Sequence, residues 1–332
     1  MTPPLPRPHI LVLSNDSPDW APEDRVISDK MIELMLTGLH DEGYPCELVT
    51  FFDDLSVLDK FDPREWLIWN WGEELAGEPW TDAVVVAQLE RRGFTFTGVS
   101  SEVLHFLQNR PRVKERLRAA GLPTLPWRVF DDPAPAAEWT HYPAIVKGAN
   151  QHASYGITRD SVAFTPDELA RAIFLLRDSL HDQALVEPFL DSREFHVAVW
   201  GNDVIEVLPL VEYDFAKLSD PRERLYTYEA KFDRSSRAYK EIGTLCPAPA
   251  DRPDWEVRLR EVAQAAYRAL GLRDYGRLDL RMLGDEPQVL DVNPNPDLDP
   301  IPVFPIGCEA LGLTYGQMVS RIVQYAARRM PA

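Results

Sequence analysis

The apolar residues of this chain alternate between two rhythms over its first hundred positions. His9–Ser14 (HILVLS) is a short, nearly continuous apolar run, as expected of a strand buried on both faces. After a loop at Asn15–Pro22, Glu23–Asp41 carries Ile27, Met31, Leu34, Met35 and Leu39 at helical spacing, with Gly43 placed to end the helix. Cys46–Phe52 and Glu65–Trp69 read as further strands, Ala83–Arg92 as a helix and Phe94–Thr97 as a strand. This alternation predicts an open, Rossmann-like α/β sheet over residues 1–108. Neither GxGxxG after the first strand nor GxxxxGK[ST] is present, so the usual dinucleotide and P-loop signals are missing.

The rest of the chain reads as mixed strand and helix. Ser100–Ala120 is predicted helical with a break at Pro111, and Gly121-Leu122-Pro123 ends it. Tyr142–Lys147, Ala184–Leu190, Glu194–Trp200 and Val204–Val211 read as strands, and Pro166–Leu180, Trp255–Leu270 and Gly316–Arg328 as helices. Glu212–Pro249 is long, charged and poor in apolar residues, which suggests a lid.

The most informative stretch is Tyr275–Pro300, where two alternating arms flank Gly284-Asp285-Glu286-Pro287. A hairpin with a three-residue connection would pair Leu283 with Pro287. It would then set Asp279 opposite Asp291 and Arg277 opposite Asn293, with all four polar groups on one face. Directly opposed carboxylates are unfavourable on a sheet. Two readings fit: a polar face open to solvent, or a Mg²⁺-type oxygen site built from Asp279, Asp291 and Asn293.

Composition narrows the partners. The 332 residues include 53 acidic and 35 basic side chains, a net charge of −18. That disfavours nucleic acid or an anionic membrane surface as a general partner, but leaves room for a local basic pocket. The three cysteines, Cys46, Cys246 and Cys308, are far apart in sequence, and a reduced cytoplasmic protein is the simplest expectation. The Pro-rich start MTPPLPRPH lacks the apolar run of a signal peptide, and no apolar stretch approaches the ~20 residues needed to span a bilayer.

Lys147 ends a strand and is followed by the small, polar loop Gly148–Gly156 (GANQHASYG). A lysine and loop amides in that order can hold phosphates, although a surface turn would look the same. Arg110, Arg112, Lys114, Arg116 and Arg118 form a basic cluster that reads as a solvated helix face. Glu187 and Glu194 interrupt apolar strands and call for hydrogen-bond donors.

Taken together, AIVKGANQHASYGI, VEPFLDSREFHVAV, YTYEAKFD and GRLDLRMLGDEPQVLDVNPNPDL resemble the ATP-grasp ligases, and within them the D-alanine–D-alanine ligase family. The resemblance covers most of the chain from about Glu23 onward. It implies an ATP-grasp fold: the N-terminal α/β domain (1–108), a central subdomain (109–200) and a C-terminal subdomain with metal site and lid (201–332), with ATP held between the last two. It implies ATP and two Mg²⁺ as cofactors, small carboxylate and amine substrates, and a homodimer.

By motif, Lys147 and Arg110 would hold phosphates under a loop containing Ser154. Glu187, Phe189 and Leu190 would line the adenine, and Glu194 would take the ribose hydroxyls. Lys231 would close over the γ-phosphate. Asp279, Asp291 and Asn293 would bind metal, and Arg277 would stabilise the oxyanion of a tetrahedral intermediate. Glu23 is the candidate for holding a substrate amine.

Several positions depart from the family. Ala153-Ser154 replaces paired serines, and NWGEELAGEPW replaces a glycine-rich segment. PNPDLDPIPVF stands where relatives that bind a D-alanine carboxylate have a glycine and a serine–leucine pair. Asp297 and Asp299 would repel a carboxylate and suit a cation, or they are turn residues beside prolines. The expectation is a carboxylate–amine ligase for a dipeptide or natural product. A cell-wall D-alanine–D-alanine ligase and an ATP-grasp phosphotransferase are the alternatives.

Overall fold

The computed structural model describes residues 7–151, 154–227, 230–231, 233, 235–299 and 303–331. Its first sheet is parallel, with strands β1 (His9–Asn15), β2 (Cys46–Phe51), β3 (Trp66–Trp71) and β4 (Thr95–Phe96) in the order β2-β1-β3-β4. The period of two in β1 decides the packing on each side. Ile10 and Val12 face helix α1 (Pro22–Asp41) through Met35 and Leu39, while Leu11 and Leu13 face helix α2 (Asp82–Arg91) through Val85 and Leu89. A long apolar run was therefore needed because both faces of β1 are covered.

The expected break at Pro111 falls earlier. Helix α3 (Ser101–Leu107) stops, and Asn109 caps α4 (Arg110–Ala119) by accepting from Arg112 N at 3.0 Å. Pro111 sits in the first turn, where its missing N–H costs nothing.

The second sheet is antiparallel, with β5 (Arg128–Phe130), β6 (Ala144–Gly148), β7 (Val162–Ala163) and β8 (Ala184–Pro188) in the order β5-β8-β6-β7. Ala144, Val146 and Val186 pack on Leu169, Ile173 and Leu176 of α5 (Pro166–Leu180). The alternate positions Lys147 and Glu187 are thereby turned to the opposite face.

The third sheet contains β9 (Glu194–Gly201), β10 (Ile205–Val207), β11 (Val211–Asp214), β12 (Gly243–Leu245), β13 (Tyr275–Leu283) and β14 (Glu286–Asn293). Its order is β12-β11-β9-β13-β14, with β10 added on β9. The predicted strand Val204–Val211 is thus two strands, separated around Pro209, which has no N–H to donate. Strand β9, which lies before the 200/201 boundary drawn from sequence, pairs along its length with β13 of the C-terminal sheet. The segment expected as a lid supplies β12 and the buried Tyr213, Phe215, Leu218 and Leu225, so part of it is core.

The hairpin has the predicted pairs Asp279–Asp291 and Arg277–Asn293, but reaches them differently. The turn is two residues, Gly284-Asp285, so Leu283 pairs with Glu286 and Met282 with Pro287. Gly284 takes φ +61°, which suits glycine in such a turn. A β-bulge between Asp279 and Leu280 leaves Leu290 without an opposite residue and restores the expected register beyond it.

One face of this sheet, including Val197, Val199, Leu278 and Leu280, packs on helix α6 (Pro253–Ala269) through Leu259 and Ala263. The last helix, α7 (Tyr315–Ala327), returns to α1, where Gly316 meets Gly38. A Cβ on Gly316 would come 2.8 Å from the Gly38 carbonyl oxygen, so this crossing requires glycine.

Candidate active site

The register of β9 against β13 assembles the centre. Arg277, Asp279 and Arg281 stand opposite Ala198, His196 and Glu194. Because Val197, Leu278 and Leu280 are committed to α6, every one of these polar side chains is turned to the other face. That face looks toward the Lys147–Glu187 face of the second sheet. Arg110, Lys114, Glu187, Leu290 and Asp291 line a narrow crevice between the two.

Each buried carboxylate there has cationic partners. Glu187 accepts from Lys147 Nζ at 2.6 Å and from Lys114 Nζ at 2.7 Å, and Lys114 also donates to Thr124 Oγ1 at 2.9 Å. Burial alone would raise the Glu187 pKa, but the two ammonium groups overcome it and hold the carboxyl at about 2. Burial pushes the Lys114 ammonium down, with Glu187 opposing. Glu194 is likewise held at about 2: burial opposes ionisation, while Arg281 and His196 favour it. Its contacts are Arg281 Nε at 2.8 Å and His196 Nε2 at 2.7 Å.

Asp279 receives a two-pronged guanidinium bond from Arg277, at 2.7 and 3.1 Å, and Asn293 Nδ2 at 3.1 Å. The Asp279 charge outweighs burial and raises the already high pKa of Arg277 further. His196 Nδ1 lies 3.3 Å from Asp279 Oδ1, so one imidazole spans Glu194 and Asp279. Arg110 joins the two sheets: it donates to the Gly148 carbonyl at 2.7 Å and to Asp291 Oδ2 at 3.0 Å. Asp279, Asp291 and the Asn293 amide oxygen together form a hard-oxygen set on one face, which fits Mg²⁺.

Lys231 reaches Ser154 Oγ at 3.0 Å, and that hydroxyl donates to the Tyr226 carbonyl at 3.1 Å. The lid-like segment and the small-residue loop therefore meet. Burial lowers the Lys231 pKa, and the Arg277 charge adds to the effect. Phe189 is buried under the Arg281 guanidinium, 5.2 Å from its ring centre, and the half-buried Leu190 offers its carbonyl to the same arginine. Ala153, Tyr228, Glu229 and Phe232, which belong to the two motifs, lie outside the described residues.

Two expected substrate regions make no contact with these ion pairs among the described residues. Glu23 is exposed in the first turn of α1 and makes no hydrogen bond or ion pair among the described residues. Asp297 and Asp299 flank the buried Leu298.

Sequence reading missed Lys114, His196 and Arg281 as members of the site. The charge run groups Lys114 with a solvated face, yet it and Arg110 are spaced i, i+4 and are buried beside Val113 and Leu117; only Arg112, Arg116 and Arg118 of the cluster are exposed. The apolar neighbours were the available signal. His196 follows Glu194 by two on a strand and so had to share its face.

A crevice between two antiparallel sheets, beside an open parallel α/β sheet, suits an ATP-grasp fold, and comparison with known proteins agrees. A family model described as D-ala D-ala ligase C-terminus matches residues 117–324. The uncharacterized protein y4sG of Sinorhizobium fredii is 30% identical over 283 residues, 83% of this chain and 80% of that protein. The D-alanine–D-alanine ligase of Alcanivorax borkumensis is 30% identical over 310 residues, covering 92% and 91% of the two chains. The crystal structure of the Bacillus anthracis D-alanine–D-alanine ligase shares the fold at a TM-score of 0.72 and 18% identity, over 97% of this chain and 98% of that one. The same enzyme complexed with ATP matches at 0.71, with 18% identity over 96% and 97%. This chain belongs to the D-alanine–D-alanine ligase family and is an ATP-dependent ligase of that kind.

Proposed function

We propose that the chain joins a small carboxylate to an amine through an acyl phosphate, in dipeptide or natural-product biosynthesis. The observation that carries this reading is the convergence of Lys147, Arg110, Lys231 and Arg277 on the face bearing Asp279, Asp291 and Asn293. One carboxylate oxygen of the substrate attacks the γ-phosphorus of ATP and ADP leaves. The amine then adds to the acyl carbon, and phosphate departs with that oxygen. Lys147 and Arg110 hold phosphate oxygens beneath the loop that contains Ser154. Lys231 closes from the other side. Glu187, Phe189 and Leu190 border the adenine, and Glu194 the ribose. Arg277 donates to the oxyanion of the tetrahedral intermediate. Asp279, Asp291 and Asn293 would hold two Mg²⁺, whose charge offsets that of the phosphates.

The chain divides into three units, and we place the second boundary between Pro188 and Glu194, where the central sheet ends and the C-terminal sheet begins. Three free cysteines are in keeping with a reduced, cytoplasmic setting. No helix among the described residues is long and apolar enough to cross a membrane. We take the homodimer from the family.

Incubation with ATP, Mg²⁺ and a panel of amino acids and amines is expected to release ADP only when an acid and an amine are both present. Absence of ADP from every pairing would overturn the reading. The second reading, cell-wall D-alanine–D-alanine synthesis, is favoured by the named relatives; D-alanine as the best single substrate would establish it.

A further inference from the structure

Strand β13 turns a third polar side chain, Arg281, to the face of Arg277 and Asp279, and the reaction scheme gives it no task. Arg281 is only 2% exposed. A buried guanidinium is costly unless its donors find acceptors. Its Nε and Nη2 lie 2.8 and 2.7 Å from Glu194 Oε2, Nη1 donates to the Leu190 carbonyl, and Nη2 donates to the Arg224 carbonyl. The ring centres of Phe189 and Phe215 are 5.2 and 5.3 Å from the guanidinium carbon, within cation–π reach.

Each acceptor belongs to a different segment around the nucleotide site. Leu190 follows β8 on the hinge that borders the adenine, Glu194 opens β9, and Arg224 leads into the lid-like segment. Arg224 is held from its other end as well. Its Nη1 reaches both Asp191 oxygens at 2.9 Å, and its Nε donates to the Leu218 carbonyl at 2.9 Å. The next residue, Leu225, packs with Phe189. One planar, always-charged fork therefore ties the hinge, β9 and the root of the lid together.

The effect on Glu194 is specific. A carboxylate has about four lone-pair sites. Arg281 fills Oε2, while His196 Nε2 lies 2.7 Å from Oε1. Both oxygens are fixed by side chains of the sheet itself, and Oε1 keeps one site for a hydroxyl donor. The carboxylate cannot turn without breaking one of these contacts.

Resting on the ligase reading, which gives the ribose to Glu194, we propose that Arg281 is the positioning residue through which the site selects a ribonucleotide. It aims Glu194 at a ribose hydroxyl and holds the adenine hinge beside it. Arg281 acts through Glu194 and Leu190, so its loss weakens nucleotide binding and leaves the chemistry at Arg277 nearly intact.

The test has a binding arm and a turnover arm. Calorimetry measures ATP and 2′,3′-dideoxy-ATP binding to the protein with Mg²⁺, without acid or amine. The wild type should bind ATP about tenfold or more tightly, as a hydrogen bond to a charged acceptor implies. Arg281→Met should bring that ratio below about threefold, because Glu194 is no longer aimed. A merely structural loss would weaken both nucleotides alike and keep the ratio. Arg281→Lys retains the buried cation, and with it the fold, but an ammonium cannot serve three separate acceptors as the fork does, so its ratio should fall too. In turnover, KM for ATP should rise about tenfold in these variants, with kcat changed less than about threefold. Equal binding of the two nucleotides by the wild type, an unchanged ratio in the variants, or a loss confined to kcat would each overturn the proposal. An Arg281-dependent ratio in a protein that releases no ADP with any acid–amine pairing would overturn the ligase reading alone.

Discussion

The two ends of one short stretch follow opposite rules. From Arg277 to Asn293, charge is matched contact by contact: Arg277 with Asp279, Arg110 with Asp291, Arg281 with Glu194. From Pro294 to Asp299, the carboxylates of Asp297 and Asp299 make no hydrogen bond or ion pair among the described residues. The first region sits on strands whose other face is locked by α6, so its geometry is set before any ligand arrives. The second is an irregular connection held by the buried Leu298. Chemistry common to a family belongs on the rigid part, and choice of substrate on the connection that can be rewritten without disturbing the sheet.

This contrast can be broken by substitution. The largest effect should come from Arg277→Ala. Loss of an oxyanion donor is expected to lower amide formation by about 10²–10³-fold, measured as kcat with the best substrate pair. An unchanged rate would remove Arg277 from the reaction centre.

Next is Glu187→Ala, which strands the two buried ammonium groups of Lys114 and Lys147. A loss of about 3–5 kcal/mol is expected from urea unfolding, and Glu187→Gln should cost less because it can still accept hydrogen bonds. Acid titration sharpens the point. Glu187 and Glu194 are held at about 2 in the fold, below the ordinary value of about 4.3 in the unfolded chain. Their contribution is therefore complete above that value and is lost as pH falls toward 2. Unfolding free energy measured from pH 5 to 2.5 should drop steeply in the wild type and less so in Glu187→Gln.

The second region should be far less sensitive. Asp297 is exposed and makes no hydrogen bond or ion pair among the described residues, so Asp297→Asn should change stability by less than about 1 kcal/mol. Thermal unfolding checks this, and a larger loss would mean that Asp297 is matched after all.

Much of this was legible in the sequence because period and burial agree. HILVLS had to be a doubly covered strand, and the hairpin alternation put Arg277, Asp279, Asp291 and Asn293 together. The bulge at Leu290 was not legible: a two-residue turn with a bulge and a three-residue turn give the same pairs beyond it, and only hydrogen bonding separates them. Lys114 was hidden among exposed arginines, since charge runs carry no mark of which turn faces inward. His196 required knowing that β9 lies beside β13, a neighbour more than 70 residues away in sequence.

The central claim is the acyl phosphate, and an isotope settles it. The carboxylate substrate is labelled with ¹⁸O in both oxygens and incubated with the protein, ATP, Mg²⁺ and the amine. Mass spectrometry of the released phosphate should show one ¹⁸O per molecule, because the attacking carboxylate oxygen leaves on phosphorus. Amide formation with unlabelled phosphate would contradict the account.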